Sequence, residues 1–342
     1  MVKSPREGGL SERLFDALID DFPDHRPGTR PVHAVGIGAD GYFVPSHVAR
    51  RFTTADHFQG DRVQVTVRFS NGSGSPVEND PALDIRGMAT KFLLPSGPTD
   101  LIMSSLPVFF SRTSQDFLDF AGAGEPKPVK ALPRWSCLTD RLRLRQPRTP
   151  PGPDTPDNGV AGVIAYADDH PFARAGTIAA LTQPAPTSYA RVTYHAIHTF
   201  RLTDPDGNVH YCRFTWEPVA GVRPETRSGL PEDYLHTELK QRLMRAPVRF
   251  VLRAVVGGQG DALDDPTVGW DTTRLRLVMG ELVLTELAEE GGGASERLSF
   301  NPTRVMRGFE VSGDLVLAAR GAAYEYSCLE RGGVGCQLGR GR

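Results

Sequence analysis

The chain has little cysteine and almost no imbalance of charge. Four cysteines, Cys137, Cys212, Cys328 and Cys336, stand among 342 residues, and no two have the CxxC spacing of a zinc site or a redox dithiol. They are read as free thiols. Lys and Arg number 39 against 41 Asp and Glu, a formal charge of −2. The basic excess that binds a phosphate backbone is therefore missing, and nucleic acid is not an expected partner. No apolar run approaches the ~20 residues that span a bilayer. The first nine residues also lack the apolar core of a signal peptide. These absences lead to the expectation of a cytoplasmic protein without a membrane span.

What is present is a succession of short β-type segments punctuated by Gly, Pro, Asn and Asp. Strands are expected at Val32–Val35, Tyr42–Val44, Val63–Phe69, Ala89–Leu94, Leu101–Met103 and Val108–Phe110. Ala190–Leu202 and His210–Trp216 flank Asp204-Pro-Asp-Gly-Asn208, the signature of a hairpin, and Val248–Val256, Leu275–Val278 and Glu281–Glu286 follow. Helical periodicity marks Ser11–Asp21, which Pro23 ends, together with Gln115–Ala123, Pro231–Met244 and Asp314–Glu330, the last followed by Gly332 and Gly333. Proline crowds Arg145–Asn158, which reads as an exposed loop. Many strands joined by short turns predict a barrel or sandwich of α+β class.

One motif tempts toward a nucleotide. Gly36-Ile-Gly38-Ala-Asp-Gly41 fits GxGxxG, and Asp61 lies twenty residues beyond. The last glycine, however, leads into Tyr42-Phe-Val-Pro45 instead of the helix that receives a pyrophosphate. The glycines are read instead as letting two strands approach closely.

Four segments carry chemistry: Arg30-Pro-Val32-His33, Val67-Arg68-Phe-Ser70, Asp84-Ile-Arg86-Gly87, and Arg320-Gly-Ala-Ala-Tyr324-Glu-Tyr-Ser327-Cys-Leu-Glu-Arg331. Arg320 and Tyr324, four apart on one helix, share a face, so the guanidinium can stabilise a phenolate. Taken alone they are an ordinary packing pair, and a lone His33 is a structural histidine. In this order, together with Ser104-Ser105-Leu-Pro107-Val-Phe-Phe110, His198-Thr-Phe-Arg, Tyr211-Cys-Arg-Phe214 and Phe300-Asn-Pro302, the segments resemble the haem catalase family over roughly residues 28 to 332.

The resemblance implies a closed antiparallel barrel of about eight strands with peripheral helices. It also implies one domain: an N-terminal helix and arm (1–27), the barrel with inserted helices (28–290), and a proximal segment and tail (291–342). It implies haem, expected as ferric haem b, with Tyr324 on the iron and Arg320 and Ser327 beside it; a cysteine thiolate is the alternative ligand. His33 is then the base that moves the peroxide proton. Ser70 orients its imidazole. Arg30, Arg68 and Arg331 match the contacts to the haem propionates, with surface charge the plain alternative. Val32, which flanks His33, is expected among the haem contacts, and Phe117 and Phe120 match aromatic positions beside the haem, where core packing explains them equally well. Asp84 and Arg86 are expected to hold the barrel together.

Two departures stand out. An asparagine that donates to peroxide in the family is matched here to Ser105, and Tyr326 stands where the family has Asp. The chain also stops soon after Arg331, without the family's wrapping segment or flavodoxin-like domain, which favours an accessible haem and a homodimer. The expected enzyme is a haem-dependent peroxidase that splits hydrogen peroxide or an organic hydroperoxide and oxidises a small organic donor, with weak catalase activity. The alternatives are a catalase relative that rearranges or oxygenates an organic substrate and a non-catalytic haem-binding protein.

Overall fold

The computed structural model describes residues 9–334 apart from 21, 23, 78, 124–161 and 289–292. Among the described residues ten strands form one sheet: β1 (Gly36–Pro45), β2 (Val63–Asn71), β3 (Arg86–Leu93), β4 (Thr99–Ser104), β5 (Tyr194–His195), β6 (Phe200–Thr203), β7 (Val209–Pro218), β8 (Val248–Val256), β9 (Arg276–Leu287) and β10 (Phe309–Val311). Their order is β10-β6-β7-β5-β4-β3-β2-β1-β9-β8, and a further pairing of β7 with β8 closes β1–β5 and β7–β9 into an eight-stranded antiparallel barrel. Closure removes the free edges of those strands. β6 and β10 extend the sheet from β7.

Strand alternation sends large residues inward. Phe43, Phe69, Phe92, Phe214, Trp216 and Phe250 are each at most 1% exposed, and Phe43 makes edge contacts with Phe58, Phe92 and Trp216. Burial of each such ring contributes about 2–3 kcal/mol against the unfolded chain. The GxGxxG segment is the start of β1. A Cβ at Gly41 would stand 2.1 Å from the Val283 carbonyl oxygen of β9, so the glycine permits close crossing of strands, as the sequence suggests.

Several expectations need correction. Val32–Val35 is no strand, because His33 takes a left-handed φ of 57°, and Val108–Phe110 is irregular. Ala190–Leu202 breaks into a short 3-10 turn at Tyr189–Arg191 followed by β5 and β6, whereas the two segments after Leu275 are one strand, β9. Cys328 is disulfide-bonded, which overturns its reading as a free thiol; Cys212 is free and buried. Cys137, Cys336 and the proline-rich loop lie outside the described residues.

The helices are α1 (Leu10–Asp20), α2 (Ser114–Ala123), α3 (Val163–Asp169), α4 (Arg174–Thr182), α5 (Tyr234–Leu243), α6 (Gly293–Arg297) and α7 (Leu315–Glu330); α1 packs on α2 and α7, while α5 packs on the barrel core. Among the described residues none is long and apolar enough to cross a membrane. α7 starts where Asp314 caps it, one carboxylate oxygen accepting from Val316 N at 2.8 Å and Leu317 N at 3.1 Å.

Candidate functional site

The outer face of β2, β3 and β4 forms one wall of a cavity of about 480 Å³. Register places Ser70 opposite Gly87 and Gly87 opposite Ser104, so these three share a row and a face. Arg68, Ala89 and Ile102 make the next row. Residues 33–35 lie across the end of β2, with His33 N donating to Gly72 O at 3.0 Å and Asn71 N to Val35 O at 3.1 Å. The imidazole thereby lies over Gly87. A Cβ there would come within 2.6 Å of Ser70 Oγ and 2.9 Å of His33 Nδ1, so only glycine leaves the ring its seat.

His33 Nδ1 is 2.8 Å from Asn71 O and 3.0 Å from Ser70 Oγ. A carbonyl only accepts, so the proton of the neutral ring sits on Nδ1 and Nε2 keeps its lone pair. Burial, with the nearby cations Arg68, Arg320 and Arg30 opposing a further charge, pushes the imidazole down to about 4. His33 is thus an uncharged base at neutral pH.

Two further histidines are held neutral in the same way. Burial lowers His57 to about 3 and His195 to about 4, Arg276 adding to the effect on the latter. All three folded-state values lie below the unfolded value near ~6.5. As pH falls from that value toward 4, the unfolded chain takes up protons that the folded chain refuses, and stability is lost. From pH 7.5 to 5.5 the expected loss is about 4 kcal/mol for the three together. Urea denaturation at the two pH values measures it; equal midpoints would show that these rings are not kept neutral.

The other wall comes from α7, where Arg320, Ala323, Tyr324, Ser327 and Arg331 recur at helical spacing along the cavity. Arg320 donates through Nη2 to Tyr324 Oη at 3.2 Å and through Nη1 to His198 Nε2 at 2.7 Å. His198 Nδ1 in turn meets the second oxygen of Asp314 at 2.6 Å, both side chains buried. A line Tyr324–Arg320–His198–Asp314 results. Sequence reasoning gave neither His198 nor Asp314 a role; His198 stood in a matched segment and Asp314 marked a helix start, but nothing in their spacing joined them.

Arg30, Arg68 and Arg331 converge on α6. Arg30 pairs with Glu296, Arg68 Nε reaches Glu296 Oε1 at 2.6 Å, and Arg331 Nη1 donates to the Glu296 carbonyl at 2.9 Å. Two of these guanidinium groups pair with the one carboxylate and the third binds its main-chain carbonyl, so the cluster carries a surplus of two positive charges. Two carboxylates of a porphyrin edge match that surplus. With Tyr324 as an oxygen donor, a base in His33 and flat aromatic and aliphatic walls, the residues fit a haem.

Val32, Phe117 and Phe120 also line the cavity, and Phe120 stacks on Phe110 at 3.8 Å, so these rings both line and pack. Ser105 is placed otherwise than expected. Pleat alternation turns it from the cavity, and its hydroxyl accepts from Arg86 N at 2.9 Å; Ser104 lines the wall instead. Asp84 also lines the cavity while its carboxylate accepts from Ser73 N and Ile85 N, and Arg86 holds the Asp80 and Ala82 carbonyls away from it.

Comparison with known proteins bears on the family and the fold. A family model described as Catalase matches residues 10–147. A catalase-related peroxidase of Mycolicibacterium paratuberculosis is 32% identical over 332 residues, 96% of this chain and 96% of its own. One from Synechococcus elongatus is 27% identical over 308 residues, 89% of this chain and 84% of its own. Among solved structures, a fungal catalase superposes with a TM-score of 0.70 at 23% identity, and the match covers 90% of this chain but 60% of that one. With a near full-length relative at this identity, and with the fold and cavity described, the chain belongs to the catalase family.

Proposed function

We propose that the chain is a haem-dependent peroxidase that uses hydrogen peroxide or an organic hydroperoxide to oxidise a small organic donor, with haem b in the ferric state held in the cavity. The observation that carries this reading is that His33, with its proton fixed on Nδ1, and the Tyr324–Arg320 pair line the same cavity as the arginine cluster. Tyr324 would hold the iron, and Arg30, Arg68 and Arg331 the propionates. The haem supplies the redox chemistry at its iron. Nε2 of His33 takes the proton from one peroxide oxygen and returns it to the other, so the departing oxygen leaves as water from hydrogen peroxide or as the alcohol from an organic hydroperoxide, and the two oxidising equivalents are spent on the donor. Ser70 and Asn71 hold the ring during that transfer. Ser104, whose hydroxyl oxygen accepts from Leu106 N at 3.3 Å, keeps its own proton to donate to a bound peroxide.

Support for an organic donor comes from the rest of the wall. Leu14, Leu18, Phe22, Leu106, Phe120 and Val163 line the cavity, and Leu181 both lines it and is 44% exposed, which makes an apolar mouth. An apolar mouth favours an apolar guest over hydrogen peroxide alone. The same feature favours a second reading, in which an organic hydroperoxide is rearranged without a donor. Haem-loaded protein is expected to consume peroxide at least ~10-fold faster with a phenolic donor present than to release oxygen without one. Oxygen release that is faster and indifferent to donor would overturn the peroxidase reading. Donor-independent conversion of a fatty-acid hydroperoxide to an isomer would establish the second.

A further inference from the structure

Behind the imidazole lies a buried side-chain amide to which the proposed chemistry gives no role. Asn71, at the end of β2, is 1% exposed. Its carbonyl takes the His33 Nδ1 proton, and its side chain is gripped at both ends. Nδ2 donates to Asp80 Oδ1 at 2.8 Å, and Oδ1 accepts from Tyr189 Oη at 2.9 Å. Both partners are fixed in turn. Asp80 is 1% exposed; its other oxygen accepts from Leu235 N of α5 at 2.7 Å, and its carbonyl accepts from Arg86 Nη2 at 2.8 Å. Tyr189 is fully buried and stacks on Phe69 at 5.6 Å. A carboxylate can only accept, so Asp80 dictates which way the Asn71 amide turns, and Tyr189 completes it.

His33 needs such support. A left-handed φ of 57° on a residue with a Cβ costs about 1–2 kcal/mol and persists only where surrounding contacts over-determine it. The ring also has a second neighbour for Nδ1 in Ser70 Oγ, which can donate as well as accept. Serine alone would tolerate either tautomer. The Asn71 carbonyl tolerates one.

We propose that the Asn71 side chain, clamped by Asp80 and Tyr189, is a positioning group: it holds the Asn71 carbonyl in the place from which that carbonyl sets the tautomer and seating of His33. The clamp anchors the acceptor carbonyl to α5 and to the barrel interior, so the base on the cavity side inherits the rigidity of the core. This rests on the reading of His33 as the proton-transferring base, but its test does not. The charged groups facing the ring, Arg30 on its own segment, Arg68 on β2, Arg320 on α7 and Asp84 on the cavity wall, stay unchanged in every variant.

The test is the pair of imidazole nitrogen shifts of His33, read by 15N NMR on the full chain as purified and again after loading with zinc protoporphyrin. In the native protein Nδ1 is expected at a protonated and Nε2 at an unprotonated position. In Asn71→Ala the two shifts are expected to converge as tautomers interconvert, and kcat/KM for peroxide in the haem-loaded protein to fall about ten-fold, with KM for the donor unchanged. Tyr189→Phe keeps the ring on Phe69 and removes one arm of the clamp, so it decides the matter if Asn71→Ala does not fold; partial convergence is expected. Native shift separation in a folded Asn71→Ala, or in Tyr189→Phe where that is the readable variant, would overturn the proposal. The expected shifts in the native protein and in the variants, but with no turnover in the haem-loaded native protein, would instead count against the peroxidase reading and leave the clamp standing.

Discussion

Tyr324→Phe is expected to lower peroxide consumption by more than ~100-fold and to change the haem absorption spectrum, while Arg320→Leu lowers consumption about 10- to 100-fold. The ordering follows from position. Groups that hydrogen-bond a metal ligand are worth ~10–100-fold in affinity or activity, so the ligand itself must be worth more. Arg320 touches Tyr324 Oη and also carries His198, so its loss removes a hydrogen-bond donor to the phenol and disconnects the line to Asp314 at once. If Tyr324 were an ordinary buried phenol, its hydroxyl would contribute about 1 kcal/mol of stability and leave the spectrum alone. Spectra and stopped-flow consumption on both variants separate the two cases; an unchanged spectrum in Tyr324→Phe would remove Tyr324 from the iron.

His33→Ala should cost ~10²–10⁴-fold in peroxide consumption, the range for loss of a positioned acid–base group, or about 3–5 kcal/mol of barrier. Haem uptake should be retained, because the residues proposed to hold the haem lie elsewhere. Ser70→Ala should cost less, since the Asn71 carbonyl still holds Nδ1. The pH profile carries a sign. With burial holding the imidazole near 4, the base form persists throughout the neutral range, and the rate should fall only as pH drops through that value. Loss of rate centred near the ordinary histidine value of ~6.5 would show a solvated ring. A His33→Ala variant as fast as the native protein would end the assignment.

The barrel was legible because its strands are punctuated. Val248–Val256 was bounded by residue, and the Asp204–Asn208 hairpin was signalled by turn chemistry alone. Helices α3 and α4 were not, since Val163–Asp169 and Arg174–Thr182 carry no side-chain cap; the first is only seven residues long, and the second is built largely on small residues with little apolar contrast between faces. The site residues were reached through resemblance, because their partners are far apart in sequence: Arg68 meets Glu296, and Arg320 meets His198. Glu296 left no signal of its own, lying in a five-residue helix. The Ser105 expectation failed by one residue for a reason that only register shows. A shift of one position along β4 exchanges the two faces of the sheet, and the pairing of Ser104 with Gly87 decides which hydroxyl reaches the wall.

Asp314 joins two jobs that other residues perform separately. One oxygen terminates the backbone of α7 and the other holds His198. Fraying of that first turn would therefore release the imidazole, and with it one tether of the guanidinium beside Tyr324. Mechanical integrity at the start of the helix and the electrostatic setting of the phenol nearly three turns later stand or fall as a single event.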